Sequence, residues 1–551
     1  MKFRTRLLSL LVILHGLLII MATLTDEVTI FHHIRSSNFV VDIPLLIGIS
    51  LIYIGSQLSR RKRTAWTVAI LAYTFYVGTV VSSLSMHGPR HLTVLIFART
   101  IALPLFIVAC LWYYRQQFTV QSDIQGFRGA LRFSALILLA ALLYGVSGFL
   151  LLDRSDFHQE IGPATALHYT VDQFDLTTDH PLQAYTKRAN LFSDSLTFMS
   201  IAAISYTAFA LFQPLRGRLA NQSASRQKMR ELMETHGAPS EDYFKLWPHD
   251  KQYFFTDSGS AGLAFHVSRG VALCIGDPVG AEHGFALLLR DFSDRCFTND
   301  WLPAFIHVED KHRKLYESQG YSLQKIGEEA VLNLAQFADE TLRGKYFRQI
   351  GNKFTKQDYS HELLSPPHHQ AVIDRLKTIS DEWLSRGGRA ERGYAMGYFT
   401  PEYMQRCRLL VARDAAGTIQ GFINQVPAPF DTAEATFDIM RHSNASPGNI
   451  NDFMLMALIA ELRDEGYQRL NLGLCPLVGF TEDDDKVAGL IDTVFKFAYI
   501  NGDRFYSFSG LHKFKSKYKP EWSNRYIAYQ SGFRGFSRTT AALVRAMRVR
   551  R

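Results

Sequence analysis

Apolar residues along this chain fall into two regimes: long runs dominate the first 215 or so residues, and short alternations mixed with amphipathic segments fill the rest. Six runs, near 7–24, 40–58, 65–84, 91–113, 131–152 and 192–213, approach or reach the roughly 20 residues that cross a bilayer as a helix. No small-residue cleavage site follows the first run, and five more runs succeed it, so it reads as a retained anchor rather than a signal peptide. Further on, 241–340 alternates short strands with helices: YFFTDSG, GLAFHVSRGVALCIGDPVG, a helix over about 283–297, PAFIHVED, a helix to Gly320 and a run to Leu334. The stretch 343–535 repeats that style, which predicts two α/β lobes of similar size.

Within the second lobe, Phe437 to Leu477 reads as a strand, a loop with Pro447 and Gly448, an amphipathic helix closed by Gly466, and another strand. Asp438 and Arg441 sit inside the first strand, while Asn471 and Gly473 interrupt the last. Strand ends are where an α/β domain normally places its chemistry. The division predicted is a membrane domain over 1–215, a basic juxtamembrane linker over 216–235, a first lobe over 236–342, and a second lobe over 343–551 that carries the site and a basic C-terminal segment.

Charge orients the membrane part. Lys2, Arg4 and Arg6 precede the first run, Arg60 to Arg63 follow the second, Arg115, Arg128 and Arg132 lie between the fourth and fifth, and Arg216 to Arg230 follow the sixth. All fall on one side, which predicts cytoplasmic termini and makes 153–191 the largest outer loop. Arg99, inside the fourth run, would face a polar cavity or reach lipid phosphate, unless the span boundary lies elsewhere. The net charge of +9 favours an anionic partner, lipid headgroup or nucleic acid, and the linker should lie against anionic lipid. Cys110, Cys274, Cys296, Cys407 and Cys475 show neither zinc-site spacing nor a disulfide framework, in keeping with a reducing compartment. The doublets His32-His33 and His368-His369 lack partner ligands nearby and read as surface histidines, so no metal is expected.

Candidate chemistry is sparse. Gly276 to Gly280 lacks the lysine frame of a phosphate loop and reads as a turn after a strand. Arg386-Gly387-Gly388-Arg389, with Glu391, Arg392 and Gly393, is either a basic loop leading into a strand over Tyr394 to Phe399 or a solvated turn. Asp452 lies near a helix start, where capping competes with catalysis. A helix begun by Ser509 and stopped by Pro520 would place Leu511, Phe514 and Tyr518 on one face and project lysines from the others, to hold phosphate or simply to meet solvent.

The ordered motifs GVALCIGDPVG, PAFIHVEDKHRKLYESQGYSLQKIGEEAVLNL, RGYAMGYF, FDIMRH, NDFMLMAL, YQRLNLGLCPLVG and FSGLHKFKSKYKPEW resemble the bacterial aminoacyl-phosphatidylglycerol synthases, also called multiple peptide resistance factors. The resemblance covers about 225–530. It implies two acetyltransferase-like (GNAT-like) lobes with a tunnel between them. It also implies transfer of an amino acid, lysine first and alanine or arginine as alternatives, from aminoacyl-tRNA to a hydroxyl of phosphatidylglycerol. That activity lowers membrane negative charge and favours resistance to cationic peptides. Aminoacyl-tRNA is a co-substrate, and no cofactor is implied. Relatives carry a further block of spans that flips the product, so the expectation is a synthase served by a separate flippase.

The family's D-x-M-R matches Asp438, Met440 and Arg441, and its F-K-x-K matches Phe514, Lys515 and Lys517, followed by Trp522 and Arg525. Ser509 stands where relatives carry an acidic residue. Exchange of one ester for another needs a base and a cation that steadies an oxyanion. Asp438 is the candidate base or hydroxyl-orienting group, with Arg441 and Lys515 or Lys517 as stabilisers or phosphate anchors. Met440, Asn471, Gly473, Lys513, Lys517, Trp522 and Arg525 are candidate substrate-binding residues. The competing view makes Asp438 and Arg441 a structural ion pair. Rival functions are an aminoacyl-tRNA-dependent transferase acting on a peptidoglycan precursor and a non-enzymatic membrane sensor or transporter.

Overall fold

The structure is a computed structural model describing residues 2–24, 33–35, 40–87, 101–120, 124–152, 154–157, 161–172, 185–211, 222–386, 389–431, 433–476 and 508–549. Arg99, Gly387, Gly388 and Leu477 lie outside the described residues, as does the side chain of Ser509. The chain forms two compact units, Met1–Arg216 with Phe297–Asp300, and Gly217–Cys296 with Trp301–Arg551.

The first unit is helical: α1 (Lys2–Leu24), α2 (Ile43–Ser59), α3 (Arg63–His87), α4 (Leu103–Tyr113), α5 (Ile124–Leu151), α6 (Pro163–Asp172) and α7 (Lys187–Leu211), with a small ribbon of β1 (His33–Arg35) and β2 (Val40–Asp42). Helices overlap all six apolar runs. Among the described residues, Leu131–Leu151 alone is long and apolar enough to cross a membrane; Thr5–Met21, Ile47–Ser59 and Leu103–Tyr113 are shorter apolar helices. Helix α5 turns Leu131, Phe133, Leu136, Leu139 and Leu143 outward while burying Ser134 and Ala141. That is the reverse of a helix in water. Close packing of α1 on α2 depends on small residues: a Cβ on Gly16 would lie 2.6 Å from the carbonyl oxygen of Gly48.

In the second unit, α8 (Ser223–His236) corrects the expected linker. Met229 and Met233 are fully buried in the unit's core, so this basic segment is a packed helix rather than a tether. Among the described residues the sheet has twelve strands: β3 (Gln252–Phe255), β4 (Ala261–Ser268), β5 (Val271–Ile275), β6 (Val279–Gly280), β7 (Leu302–Glu309), β8 (Tyr321–Asn333), β9 (Ser360–Leu364), β10 (Arg408–Arg413), β11 (Ile419–Gln425), β12 (Glu434–His442), β13 (Arg469–Pro476) and β14 (Glu521–Gln530). Its order is β3-β4-β5-β7-β14-β8-β13-β12-β11-β10-β9, with β6 paired to β4. The helices α9 (Phe285–Thr298), α10 (Lys345–Lys356), α11 (Gln370–Ser385), α12 (Ile450–Asp464), α13 (Phe508–Ser516) and α14 (Phe533–Met547) complete it. Strand β14 inserts between β7 and β8, so the chain's last strand joins the sheet of the first half.

Each half carries one parallel pair within an otherwise antiparallel layout, β5 with β7 and β12 with β13. The pairs run in register only as far as Ile275 with Ile306 and Thr436 with Asn471. Just beyond, Gly276 (φ 64°), His307 (φ 74°) and Gly473 (φ 80°) turn the backbone away. Separated parallel strands leave a slot at their carboxyl ends.

Two local expectations fail. No strand forms over Tyr394 to Phe399, because Tyr394 has φ 71° and its carbonyl accepts from the buried Lys251 ammonium at 2.6 Å. Helix α13 ends at Ser516, before Tyr518, whose side chain is fully buried between Phe337 and Phe347.

Candidate active site

A cavity of about 420 Å³ opens where β12 and β13 part. Asp438, Met440, Arg441, Gly473 and Lys515 line it. Asp438 lies two residues past Thr436, where β12 stops pairing with β13 although it continues against β11 to His442, and it lines the slot so opened. The Tyr403 hydroxyl donates to Asp438 Oδ2 at 3.1 Å, and the Gly397 backbone N–H also serves the carboxylate. A Cβ at Gly397 would collide with the Tyr403 ring and with Asp438, so that approach requires glycine. Burial raises the Asp438 pKa to about 7 despite the Tyr403 and Gly397 hydrogen bonds and the charge of Arg441. A carboxyl poised there can both take and return a proton near neutrality.

Arg441 does not pair with Asp438. Its guanidinium makes a two-pronged bond to Glu391, at 2.8 and 2.7 Å, donates to Ser380 and lies 5.0 Å from the Trp383 ring centre. Arg389 covers the same ring at 4.2 Å. Arg441 thus reaches the cavity with its charge already matched, which corrects the structural-pair alternative and weakens its candidacy as an anion stabiliser. Glu391, in the basic loop, is the residue that neutralises it.

Lys515 is the buried lysine of the cavity lining. It is 6% exposed, donates to the carbonyls of Gly473 at 2.8 Å and Leu474 at 3.3 Å, and burial lowers its pKa. Asn471 supports this geometry from behind: its side chain accepts from Gly473 N–H at 2.8 Å and its own carbonyl accepts from Thr436 Oγ1 at 3.0 Å. Asn471 shapes the bulge in β13 and does not line the cavity.

The remaining candidates lie elsewhere. Lys513 is exposed. Trp522 stacks on His512, with ring centres 4.6 Å apart, away from the cavity lining. Lys517 is bound to Asp452 at 2.5 Å and to the Tyr346 hydroxyl at 2.9 Å. Asp452 also accepts from Tyr518 at 2.8 Å and Tyr346 at 3.0 Å, so it ties the basic segment to α12. Asp452 stands in the first turn of α12, as its sequence position predicts; the residue before the helix is Asn449 at φ 71°, no side-chain capping bond forms there, and the Asp452 carboxylate is taken up by Lys517, Tyr518 and Tyr346 instead.

Arg525 pairs with the buried Glu329. This pair belongs to a cluster that motif reading missed, where Glu241, His307 and Glu329 bring ligand atoms within 4.8 Å of one another. Among the described residues they form the one set able to approach a metal ion, although Arg525 already answers Glu329. His307 lies 3.4 Å from Glu241 and 3.7 Å from Glu329; burial lowers its pKa to about 4, so it is neutral at pH 7. Burial and the neighbouring Glu329 push the Glu241 carboxyl well above its usual range. Burial acts the same way on Glu329, but the Arg525 charge and side-chain hydrogen bonds with Glu241 and Asn471 outweigh it and hold that group low. The signal available in sequence was only the buried-strand context of His307 in PAFIHVED and Glu329 in GEEAVLNL.

A family profile described as phosphatidylglycerol lysyltransferase, C-terminal, matches residues 230–529. The phosphatidylglycerol lysyltransferase of Bacillus subtilis is 28% identical over 537 residues, which cover 95% of this chain and 57% of that protein. That of Staphylococcus aureus (strain MSSA476) is 29% identical over 290 residues, 52% of this chain and 33% of that one. The chain therefore spans little more than half the length of the first of these relatives and a third of the second. Among solved structures, L-PGS from Bacillus licheniformis matches with a TM-score of 0.50 and 30% identity, covering 58% of this chain and 95% of that one. The C-terminal domain of a putative lysylphosphatidylglycerol synthetase from Agrobacterium fabrum matches with a TM-score of 0.51 and 25% identity, covering 59% and 98%. With the profile matched across more than half of its length, the chain belongs to the phosphatidylglycerol lysyltransferase family, through that family's C-terminal domain.

Proposed function

We propose that this chain is an aminoacyltransferase that moves an aminoacyl group, lysyl first, from aminoacyl-tRNA to a hydroxyl of phosphatidylglycerol. The observation that carries the reading is Asp438, a cavity carboxyl with a pKa of about 7, in the same cavity as the buried Lys515 ammonium. Its relatives, phosphatidylglycerol lysyltransferases, support phosphatidylglycerol as acceptor and lysyl as the group moved, and tRNA is the donor that the family resemblance implies.

The step exchanges one ester for another. Asp438, ionised, accepts the lipid hydroxyl proton as that oxygen attacks the ester carbonyl of the donor. The carbonyl oxygen gains the negative charge, which Lys515 steadies. Collapse expels the ribose oxygen of the donor, which takes the proton back from Asp438. One ester bond forms and one breaks, so neither ATP nor a metal enters the balance. Arg441, fixed by Glu391 and Trp383, shapes the cavity wall beside Met440.

The outward-facing leucines of α5 support a bilayer location for the first unit. We assign it six spans with both termini cytoplasmic, in the bacterial inner membrane. Product exposure on the outer leaflet would fall to a separate flippase and would favour resistance to cationic peptides.

Expression in a host lacking amino-lipids, followed by lipid extraction, thin-layer chromatography with ninhydrin staining and mass spectrometry, tests the reading. A new lysyl-phosphatidylglycerol that requires charged tRNA is expected. Its absence from cells whose membranes contain the folded protein would overturn the assignment.

A further inference from the structure

A second cavity of about 390 Å³ adjoins the first, and the two share Glu241, Asp242, Gly276 and His307 as lining. Its location follows from the fold: β5 and β7 part after Ile275 and Ile306 as β12 and β13 do after Thr436 and Asn471. Its chemistry differs. Glu241, Asp242, Asp277, Glu282, Glu309 and Glu329 line it, against two cationic side chains, Lys311 and Arg525.

Pairing leaves the excess visible. Asp242 is matched by Lys245 at 2.5 Å, Glu309 by Lys311 at 3.0 Å, and Glu329 by Arg525. Among the described residues no ion pair with lysine or arginine answers Glu241 or Asp277; Glu241 has neutral His307 at 3.4 Å and the Glu329 carboxylate beside it, while the charges of Arg525 and Lys515 act on it without forming an ion pair. Asp277 is 7% exposed; its Oδ2 accepts from Glu309 N–H at 2.9 Å. Its Oδ1 is buried without a hydrogen-bond partner, the Tyr316 hydroxyl beside it being too poorly placed for one. Burial is what holds both carboxyls above their ordinary range, Asp277 to about 7 and Glu241 by direction. A buried carboxyl in that condition has no cation in direct contact, and a cationic ligand supplies one.

We propose that this acid-rich cavity seats the ammonium group at the end of the transferred lysyl side chain, with Glu241 and Asp277 as the specificity-determining residues. The inference deepens the function proposed above and rests on it for the identity of the aminoacyl group. A four-carbon chain entering past Glu241 and His307 would carry its charge from the reaction cavity into the acidic one, where desolvated carboxylates discriminate against an uncharged isostere. Alanyl and norleucyl groups offer nothing to these carboxylates.

The test is calorimetric titration of the full chain in detergent with lysine methyl ester and with norleucine methyl ester, which differ by the terminal ammonium. At least a tenfold preference for the lysine ester is expected. Glu241→Gln and Asp277→Asn should each cut that preference severalfold while leaving norleucine ester binding as it was, and Glu241→Asp should restore part of it. Unchanged binding of the norleucine ester shows that a variant is folded. Equal binding of the two esters by the natural chain, or an undiminished preference in the Glu241→Gln, Asp277→Asn double variant, overturns the inference. So does stoichiometric zinc binding that the lysine ester cannot displace, which would make Glu241, His307 and Glu329 a metal site. Lysyl transfer to phosphatidylglycerol vesicles, measured on the same preparation, separates the two claims: transfer without ester preference sinks the seat alone, and preference without transfer sinks the function alone.

Discussion

Lys515 and Lys517 leave the same short basic segment and end in opposite kinds of place. Lys515 turns inward to carbonyl oxygens at the edge of the reaction cavity, in company with Asp438. Lys517 turns to Asp452, which also accepts from the hydroxyls of Tyr346 and Tyr518. Each region is a lysine with an aspartate, yet one is saturated and the other is not. Asp452 has a cation and two tyrosines, a complete set of partners for a carboxylate, and its work is to hold α12 against the chain after α13. Asp438 has one tyrosine hydroxyl and one backbone N–H, no cation of its own, and a pKa of about 7. The contrast teaches that a satisfied buried carboxylate is a strut, whereas one left short of charge is available to a proton.

Substitutions can break this contrast. The largest effect should come from Asp438→Asn, which keeps the shape and removes the base: aminoacyl transfer to lipid vesicles is expected to fall by about 10³-fold with an unchanged melting curve. Lys515→Met removes the oxyanion partner and should lower kcat by about 10²-fold. Asp452→Asn should behave in the opposite sense, costing about 3 kcal/mol in denaturant unfolding because it strips a buried pair, while transfer per folded molecule stays within a few fold. The smallest effect belongs to Tyr403→Phe. It deletes a hydrogen bond that favours the ionised Asp438, so the acid limb of the rate profile should move upward by up to about one pH unit. A structural Asp438 would give the reverse ranking, with stability lost and turnover spared.

The same shift sets how stability should follow pH. The folded Asp438 holds its proton more tightly than an unfolded aspartate, so its contribution favours folding in acid. That contribution is lost as pH rises from the ordinary carboxylate value through about 7. Asp438→Asn should flatten this part of the stability curve.

Much of the frame was legible from residues. Strands β12 and β13 and the helix between them follow from alternation, from Pro447 and Gly448, and from Gly466. Asp438 stood out because a carboxylate inside an apolar strand needs a reason. What escaped reading depends on sheet order rather than period. Glu391 lies far along the chain from Arg441, and Tyr403 from Asp438, and only the fold brings each pair into contact. Lys515 and Lys517 look alike in sequence; the end of α13 at Ser516 and the burial of Tyr518 send them apart. Glu241, His307 and Glu329 come from three separate segments, united where β5 and β7 part and where β14 inserts between β7 and β8.

Transfer by this route turns on the titration of one carboxyl. The deciding measurement is the pH dependence of kcat/KM for aminoacyl transfer to phosphatidylglycerol vesicles, from about pH 5.5 to 8.5, in the natural chain and in Asp438→Asn. The natural chain should lose activity about tenfold per unit below an inflection near 7, and the residual rate of the variant should lack that inflection. A flat profile in the natural chain, or the same inflection in both proteins, would contradict the assignment of Asp438 as the base.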